Sequence, residues 1–126
     1  GLYGPQRVPR VEAIKQGQPI SADPNGYLNL IHIDDAATTV LSAWEHPSPE
    51  KLYLVADGTP VIRGQYFEEI ARIVGGPAVK YEGQTGPRGT SSKRVWTRRM
   101  RRDLLARPKF PSYREGLRSI LQSIAT

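Results

Sequence analysis

Apolar residues recur at helical spacing in several stretches of the chain and gather in short runs elsewhere. Over 63–74, Tyr66, Phe67, Ile70, Ile73 and Val74 follow a 3.6-residue repeat and Gly75-Gly76-Pro77 comes next, which predicts a helix over Arg63–Val74 closed by a glycine C-cap. Leu117, Ile120, Leu121 and Ile124 repeat the pattern near the end of the chain. Ser112 stands three residues before Glu115, the spacing of a capping box, so that helix should start there. A third helix carries Ala37, Val40, Leu41 and Trp44 on one face, with Asp34-Asp35 offering an N-cap and Pro47 a stop. A fourth is expected from Ser91 or Ser92 through about Ala106, with Val95, Trp96, Met100, Leu104 and Leu105 inward and the arginines outward. Residues 1–27 read as loop built on fixed turns at Gly4-Pro5, Pro9, Gly17, Pro19, Pro24 and Asn25-Gly26, with one short helical stretch over Val11–Gln16.

Three segments have strand character: Asn29–Ile33, Lys51–Val55 and, more weakly, Val79–Tyr81. Pro60 keeps the segment after Asp57-Gly58 from continuing the second of them as a central strand. No tight hairpin joins any pair, and so few short strands cannot close a barrel or a sandwich. They pair with one another across long connections, or they belong to a sheet whose other strands lie outside this chain.

At 126 residues the chain makes one domain or part of one. Without cysteine there is no disulfide framework, no thiolate nucleophile and no cysteine zinc site, and His32 and His46 are too far apart in sequence for a histidine-rich metal motif. Nothing resembles a leader or a spanning segment, so the expectation is a soluble, cytoplasmic protein with no membrane partner. The net charge of +6 is unevenly placed: residues 1–62 hold four basic and seven acidic groups, residues 63–126 fourteen and five. Arg88, Lys93, Arg94, Arg98, Arg99, Arg101 and Arg102 follow one another with no acid before Asp103. Such a run attracts anions and raises nucleic acid as a partner, yet only Trp96 lies within it as a stacking platform, which argues for a solvated helix face instead.

The candidate chemistry is sparse. Gly83-x-x-Gly86-x-x-Gly89 has dinucleotide-loop spacing, but Lys80, Tyr81 and Glu82 are wrong for a buried strand before it, Pro87 interrupts the turn, and no strand with a ribose-binding acid follows. Ser91, Ser92, Lys93 and Arg94 remain as a candidate anion site at a helix N-terminus. None of the six tyrosines heads a Tyr-x-x-x-Lys pair, and no Gly-x-Ser-x-Gly elbow occurs. His32-Ile33-Asp34-Asp35 offers an imidazole and two carboxylates, for which a histidine under a helix start and an aspartate cap is the plainer reading than a metal site.

Gly1-Leu2-Tyr3-Gly4-Pro5-Gln6-Arg7, Gly17-Gln18-Pro19-Ile20, Ile31-His32-Ile33-Asp34-Asp35-Ala36-Ala37 and Leu52-Tyr53-Leu54-Val55 occur in an order that resembles the C-terminal part of the extended short-chain dehydrogenases, the NAD-dependent epimerases and dehydratases. Ser92-Lys93-Arg94-Val95 and Phe110-Pro111-Ser112-Tyr113-Arg114-Glu115-Gly116-Leu117 resemble a nucleoside-sugar-epimerase-like branch of that family. The resemblance implies an α/β Rossmann-type fragment, mostly helical with two or three short strands, that seen alone reads as α+β. Residues 1–126 would be a single substrate-binding portion, without the cofactor glycine loop and the catalytic Tyr/Lys pair of the N-terminal half. NAD or NADP would serve the parent protein and bind this fragment only weakly. The fragment would be inactive alone and would expose an apolar surface for the missing half, with self-association as a consequence. Tyr3, Gly4 and Pro5 would lie near the nicotinamide end of the cleft, Arg7 near an anionic group and His32 close by. The family's diphosphate-gripping arginine before Ile-His is absent, Leu28 and Leu30 standing there, which puts a nucleotide-sugar substrate in doubt. The rival reading is a stand-alone basic module that binds nucleic acid or another polyanion through residues 88–102.

Overall fold

A computed structural model describes residues 1–47, 52–83 and 92–124. Short strands and helices alternate: β1 (Leu2–Tyr3), α1 (Val11–Lys15), β2 (Ile20–Ser21), β3 (Tyr27–Leu28), β4 (Ile31–His32), α2 (Ile33–Glu45), β5 (Val61–Ile62), α3 (Arg63–Val74), β6 (Tyr81–Glu82), α4 (Arg98–Asp103) and α5 (Tyr113–Ile124). The strands form three separate pairs, β1 with β4 and β2 with β6 in parallel and β3 with β5 antiparallel. All three pairs span long connections, but none joins two of the expected strands: residues 1–27, read as loop, supply β1, β2 and the start of β3, so the described residues hold six short strands rather than two or three, because the fixed turns there bring short extended pieces against partners far along the chain.

The core lies where α3, α5 and α1 meet behind β1 and β5. Ile70 and Leu117 are fully buried, with Tyr66, Phe67, Ile120 and Leu121 around them. Each such side chain contributes about 1.5–3 kcal/mol of transfer free energy. The α3 helix forms as its spacing predicts and ends at Gly75, whose φ of 69° is the left-handed C-cap that glycine adopts without strain. At its other end the 23–26 turn supplies acceptors for free N–H groups, Arg63 N–H bonding Gly26 O and Gly64 N–H bonding Pro24 O, both at 2.8 Å. The α5 helix starts as the capping box predicts: Ser112 Oγ bonds the Glu115 carboxylate and accepts from the Arg114 N–H.

Four further expectations need correction. The strand expected over Asn29–Ile33 shrinks to Ile31–His32, because α2 begins at once; its N-cap is His32, whose Nδ1 accepts the Asp34 N–H at 3.1 Å, and neither aspartate fills that role. Residues 52–55 join no strand; Lys51 lies outside the described residues. The Val79–Tyr81 strand is shifted to Tyr81–Glu82, where it pairs with Ile20–Ser21. The basic helix starts at Arg98 rather than at Ser91 or Ser92 and ends at Asp103, and 92–97 is irregular because Asn29 takes up its backbone groups, accepting from Val95 N–H at 2.9 Å and donating to Lys93 O at 2.7 Å. Met100 is buried as expected, whereas Trp96 is 75% exposed.

The apolar face of α2 points outward. Val40, Leu41 and Trp44 are 71%, 58% and 85% exposed, while the polar Asp35 and Thr39 are buried beneath the helix. The Asp35 carboxylate explains this inversion, because it accepts both the Lys109 N–H at 2.7 Å and the Phe110 N–H at 2.9 Å and so docks the first turn of α2 on the loop that enters α5. Removing it with Asp35→Ala strands two backbone N–H donors, the buried one of Phe110 and the half-buried one of Lys109, and hydrogen bonds to charged groups contribute roughly 1.5–3 kcal/mol each. Urea unfolding of this variant is expected to show a loss of about 3 kcal/mol, and a loss below about 1 kcal/mol would mean that the docking tolerates its absence.

Candidate functional site

Tyr3, Gly4, Pro5, Arg7 and His32 were the residues singled out, and the structure brings only part of the set together. Tyr3 and His32 are register partners across the β1 and β4 pair, and their rings meet edge to face with centroids 5.3 Å apart. Phe110 covers the other side of the imidazole at 4.0 Å. This is a packed cluster: Tyr3 is 1% and His32 2% exposed. The Tyr3 hydroxyl donates to Ser112 O at 3.4 Å, and burial, reinforced by the nearby carboxyl of Asp57, holds the phenol protonated well above its ordinary range. Burial outweighs the attraction of Asp34 and Asp35 and lowers the pKa of His32, so the ring stays neutral and accepts at Nδ1. Neither side chain offers a titrating proton to an open cleft.

Gly4 and Pro5 form the turn that follows. The Arg7 N–H donates to Gly4 O at 2.9 Å, and Gln6 takes a left-handed φ of 61° to close the loop. A Cβ at position 4 would lie 2.5 Å from Ile33 Cγ2, so any other residue there forces the Ile33 side chain to move. Arg7 leaves the cluster: its Nε donates to Leu2 O at 3.3 Å, and it lines a shallow depression of about 340 Å³ with Leu2, Gln6, Val8 and Pro9. A cation here faces solvent and can meet an anionic group from outside.

Of the candidate anion site, Ser92, Lys93 and Arg94 stand exposed in the irregular segment before α4, and Ser91 lies outside the described residues. With the helix starting at Arg98, no free helix N–H groups meet these side chains, so the dipole argument for an anion there is lost. Arg94 instead lies over the Tyr27 ring at 5.2 Å and, with Ser92, Val95 and Trp96, faces Gly58 and Pro60 across a cleft of about 500 Å³. Of the glycine motif, Gly83 follows β6 with a φ of 88°, and Gly86 and Gly89 lie outside the described residues. No group of three or more metal-ligating side chains is found among the described residues.

With strands, helices and this cluster in place, comparison with solved structures is informative. A conserved protein of unknown function from Silicibacter pomeroyi matches all of this chain over 47% of its own length, with 27% identity and a TM-score of 0.82. A UDP-glucose 4-epimerase from Thermotoga maritima, solved with UDP-glucose, matches 99% of this chain over 43% of its own at 20% identity and TM-score 0.79. A dTDP-glucose 4,6-dehydratase from Bacillus anthracis, solved with NAD, gives 16% identity and TM-score 0.79 over 42% of its length. The fold is that of part of an epimerase/dehydratase. The chain spans less than half the length of each of these proteins. No family model and no curated protein matches the sequence. Among the described residues no helix is long and apolar enough to cross a membrane.

Two residues that matter here escaped the sequence reading. Asn29 is the clamp on 93–95, and its only trace was an amide next to an apolar run. Asp57 entered only as the residue before Gly58, where the expected 51–55 strand ends, but it is buried; Oδ1 accepts the Thr59 N–H at 2.8 Å and Oδ2 has no partner among the described residues. Burial, opposed by that N–H, raises its pKa from 3.8 to about 7. Between these values the folded chain binds a proton that the unfolded chain has lost. Stability from this group is therefore full below the lower value and falls as pH rises through the upper one. Asp57→Asn is expected to be more stable relative to the parent at pH 8 than at pH 4. Urea midpoints across that range test it, and an unchanged difference would show that Asp57 titrates alike in both states.

Proposed function

We propose that this chain is the substrate-binding part of an NAD(P)-dependent oxidoreductase of the epimerase/dehydratase type, inactive alone and completed by a cofactor-binding half outside it. The observation that carries this reading is the outward apolar face of α2, with Val40, Leu41 and Trp44, together with exposed Leu52, Leu54 and Val55, in a chain whose fold covers under half of each neighbour. A domain that stood alone would bury such residues or replace them by polar ones. Residues 52–55, joined to no strand here, suit the edge of a sheet supplied from outside.

In this reading NAD or NADP is held by the other half and carries the hydride, and that half also supplies the proton-transfer pair. The present chain binds and orients a small hydroxyl-bearing substrate. Tyr3, Gly4 and Pro5 shape the wall nearest the nicotinamide, the neutral His32 with Phe110 fixes that wall from behind, and Arg7 meets an anionic substituent. Leu30 is a core residue, so the segment before Ile31 supplies no cation for a diphosphate. The cysteine-free sequence suits the cytoplasm.

Joining the chain to the cofactor half encoded with it should give NAD or NADP binding in the micromolar range by isothermal calorimetry. Indifference of the complete protein to both would overturn the proposal. Alone, the chain is expected to associate through the α2 face as its concentration rises. Sedimentation equilibrium should show this for the parent and a monomer for Val40→Glu with Trp44→Glu; a parent that stays monomeric would show that the apolar face does not self-associate.

A further inference from the structure

The chain has two asparagines, and the fold treats them in opposite ways. Asn29 spends both ends of its amide on the 93–95 backbone and is followed by the bulky Leu30. Asn25 stands exposed at the tip of the 23–26 turn and is followed by Gly26. Its side-chain amide has no hydrogen-bond partner among the described residues; only its backbone N–H is held, by Asp23 Oδ1 at 2.9 Å. An asparagine amide that is free to swing can meet the backbone nitrogen of the next residue in a five-membered ring, and a glycine, without a side chain, hinders that nitrogen least. What surrounds the pair gives such a reaction a consequence. Pro24 O and Gly26 O, the carbonyls before and after Asn25, accept the Gly64 and Arg63 N–H groups, and Asp23 O accepts from Arg63 Nη1, each at 2.8 Å. The first turn of α3 is thus capped from both sides of one asparagine. There is little slack, since a Cβ at Gly64 would lie 3.2 Å from Pro24 O. Strand β3 starts directly after Gly26 and pairs with β5, which leads straight into α3.

We propose that Asn25-Gly26 is a self-modifying site, at which spontaneous deamidation uncaps α3. The Gly26 nitrogen attacks Asn25 Cγ and forms a new N–C bond; the side-chain amide leaves as ammonia, taking the Gly26 N–H proton, and a succinimide remains. Water then opens the ring. Breaking the bond from nitrogen to Cγ gives aspartate, and breaking the bond from nitrogen to the main-chain carbonyl carbon gives isoaspartate, whose backbone runs through Cβ and Cγ and is one carbon longer. In the isoaspartate form the Pro24 and Gly26 carbonyls stand one carbon further apart along the chain. The spacing that serves Arg63 and Gly64 together is then lost, and helix donors that no other group in the turn can serve are left free. The site uses only residues of this chain and does not rest on the proposed cofactor half.

The 126-residue chain is aged at mildly alkaline pH beside a free peptide of residues 22–28, then digested, and the peptides holding Asn25 and Asn29 are followed by mass spectrometry. Isoaspartate is counted by methyl transfer from S-adenosylmethionine with an isoaspartate methyltransferase. The Asn25 peptide is expected to gain the mass difference between an amide and a carboxyl group, within about tenfold of the free peptide's rate and at least about tenfold faster than the Asn29 peptide. Asn25→Gln, which keeps an exposed amide but has to close a larger ring, should slow the gain at this position by more than about tenfold. Asp57-Gly58 can form the same linkage, but without a change in mass. In the purified isoaspartate form the Arg63 and Gly64 amides should exchange hydrogen at least about tenfold faster than in the parent, with the Leu117 and Ile120 amides unchanged. The inference is overturned if the Asn25 peptide keeps its mass while the free peptide converts, or if Asn29 converts as fast as Asn25. It is equally overturned if the isoaspartate form protects Arg63 and Gly64 as well as the parent does.

Discussion

One buried carboxylate determines how the rest of the chain is arranged. Asp35 accepts two consecutive backbone N–H groups from the loop that leads into α5, and Asp34 reaches Lys109 Nζ at 3.3 Å beside it. A charge in the interior is stable only when its hydrogen-bonding capacity is met, and two backbone donors meet it here. The cost of that burial fixes which side of α2 faces in. With Asp35 and Thr39 inward, the 3.6-residue period leaves Val40, Leu41 and Trp44 outward. The same contact places Phe110 against His32 and, through Ser112 O, the start of α5 against the Tyr3 hydroxyl. A methyl on Gly116 would overlap that phenol, so the first turn of α5 and β1 are matched at atomic contact.

Where the sequence was legible, local chemistry and tertiary packing agreed. The α3 helix and the α5 helix have apolar stripes that face the core, a glycine C-cap in one and a capping box in the other, and both stand where their spacing predicts. Periodicity failed where packing overrode it. Residues 92–97 have the composition of a helix start, but Asn29, far away in sequence, takes the carbonyl and N–H that a helix would have used. Residues 52–55 have strand composition and no partner strand, since β-structure requires an edge to pair with. The apolar stripe of α2 was read correctly as a stripe, and only the buried carboxylate shows which way it points.

The candidate site was legible in part, and the structural reading of His32 as a histidine under a helix start holds. Tyr3 and His32 do lie together, but burial turns both into packing groups whose protons stay put. Arg7 and the 92–94 segment face solvent at separate places, one beside the N-terminal turn and the other across from Gly58. The placing of Arg94 over the Tyr27 ring and of Arg98 over the Trp96 ring could not be read from a basic run alone, because the run looks the same on any solvated helix. These features suit the proposed reading of a chain that binds and orients substrate, with an apolar seat for a larger partner.

The seat is the central claim, and hydrogen exchange tests it most directly. Backbone amides of residues 52–55 and the outward side of α2 should be compared in this chain alone and in the chain joined to its cofactor half. The account predicts that amides of 52–55 exchange freely in the first case and become strongly protected in the second, as they enter a sheet. Equal exchange in both would contradict it, and would leave the apolar face of α2 without the partner assigned to it.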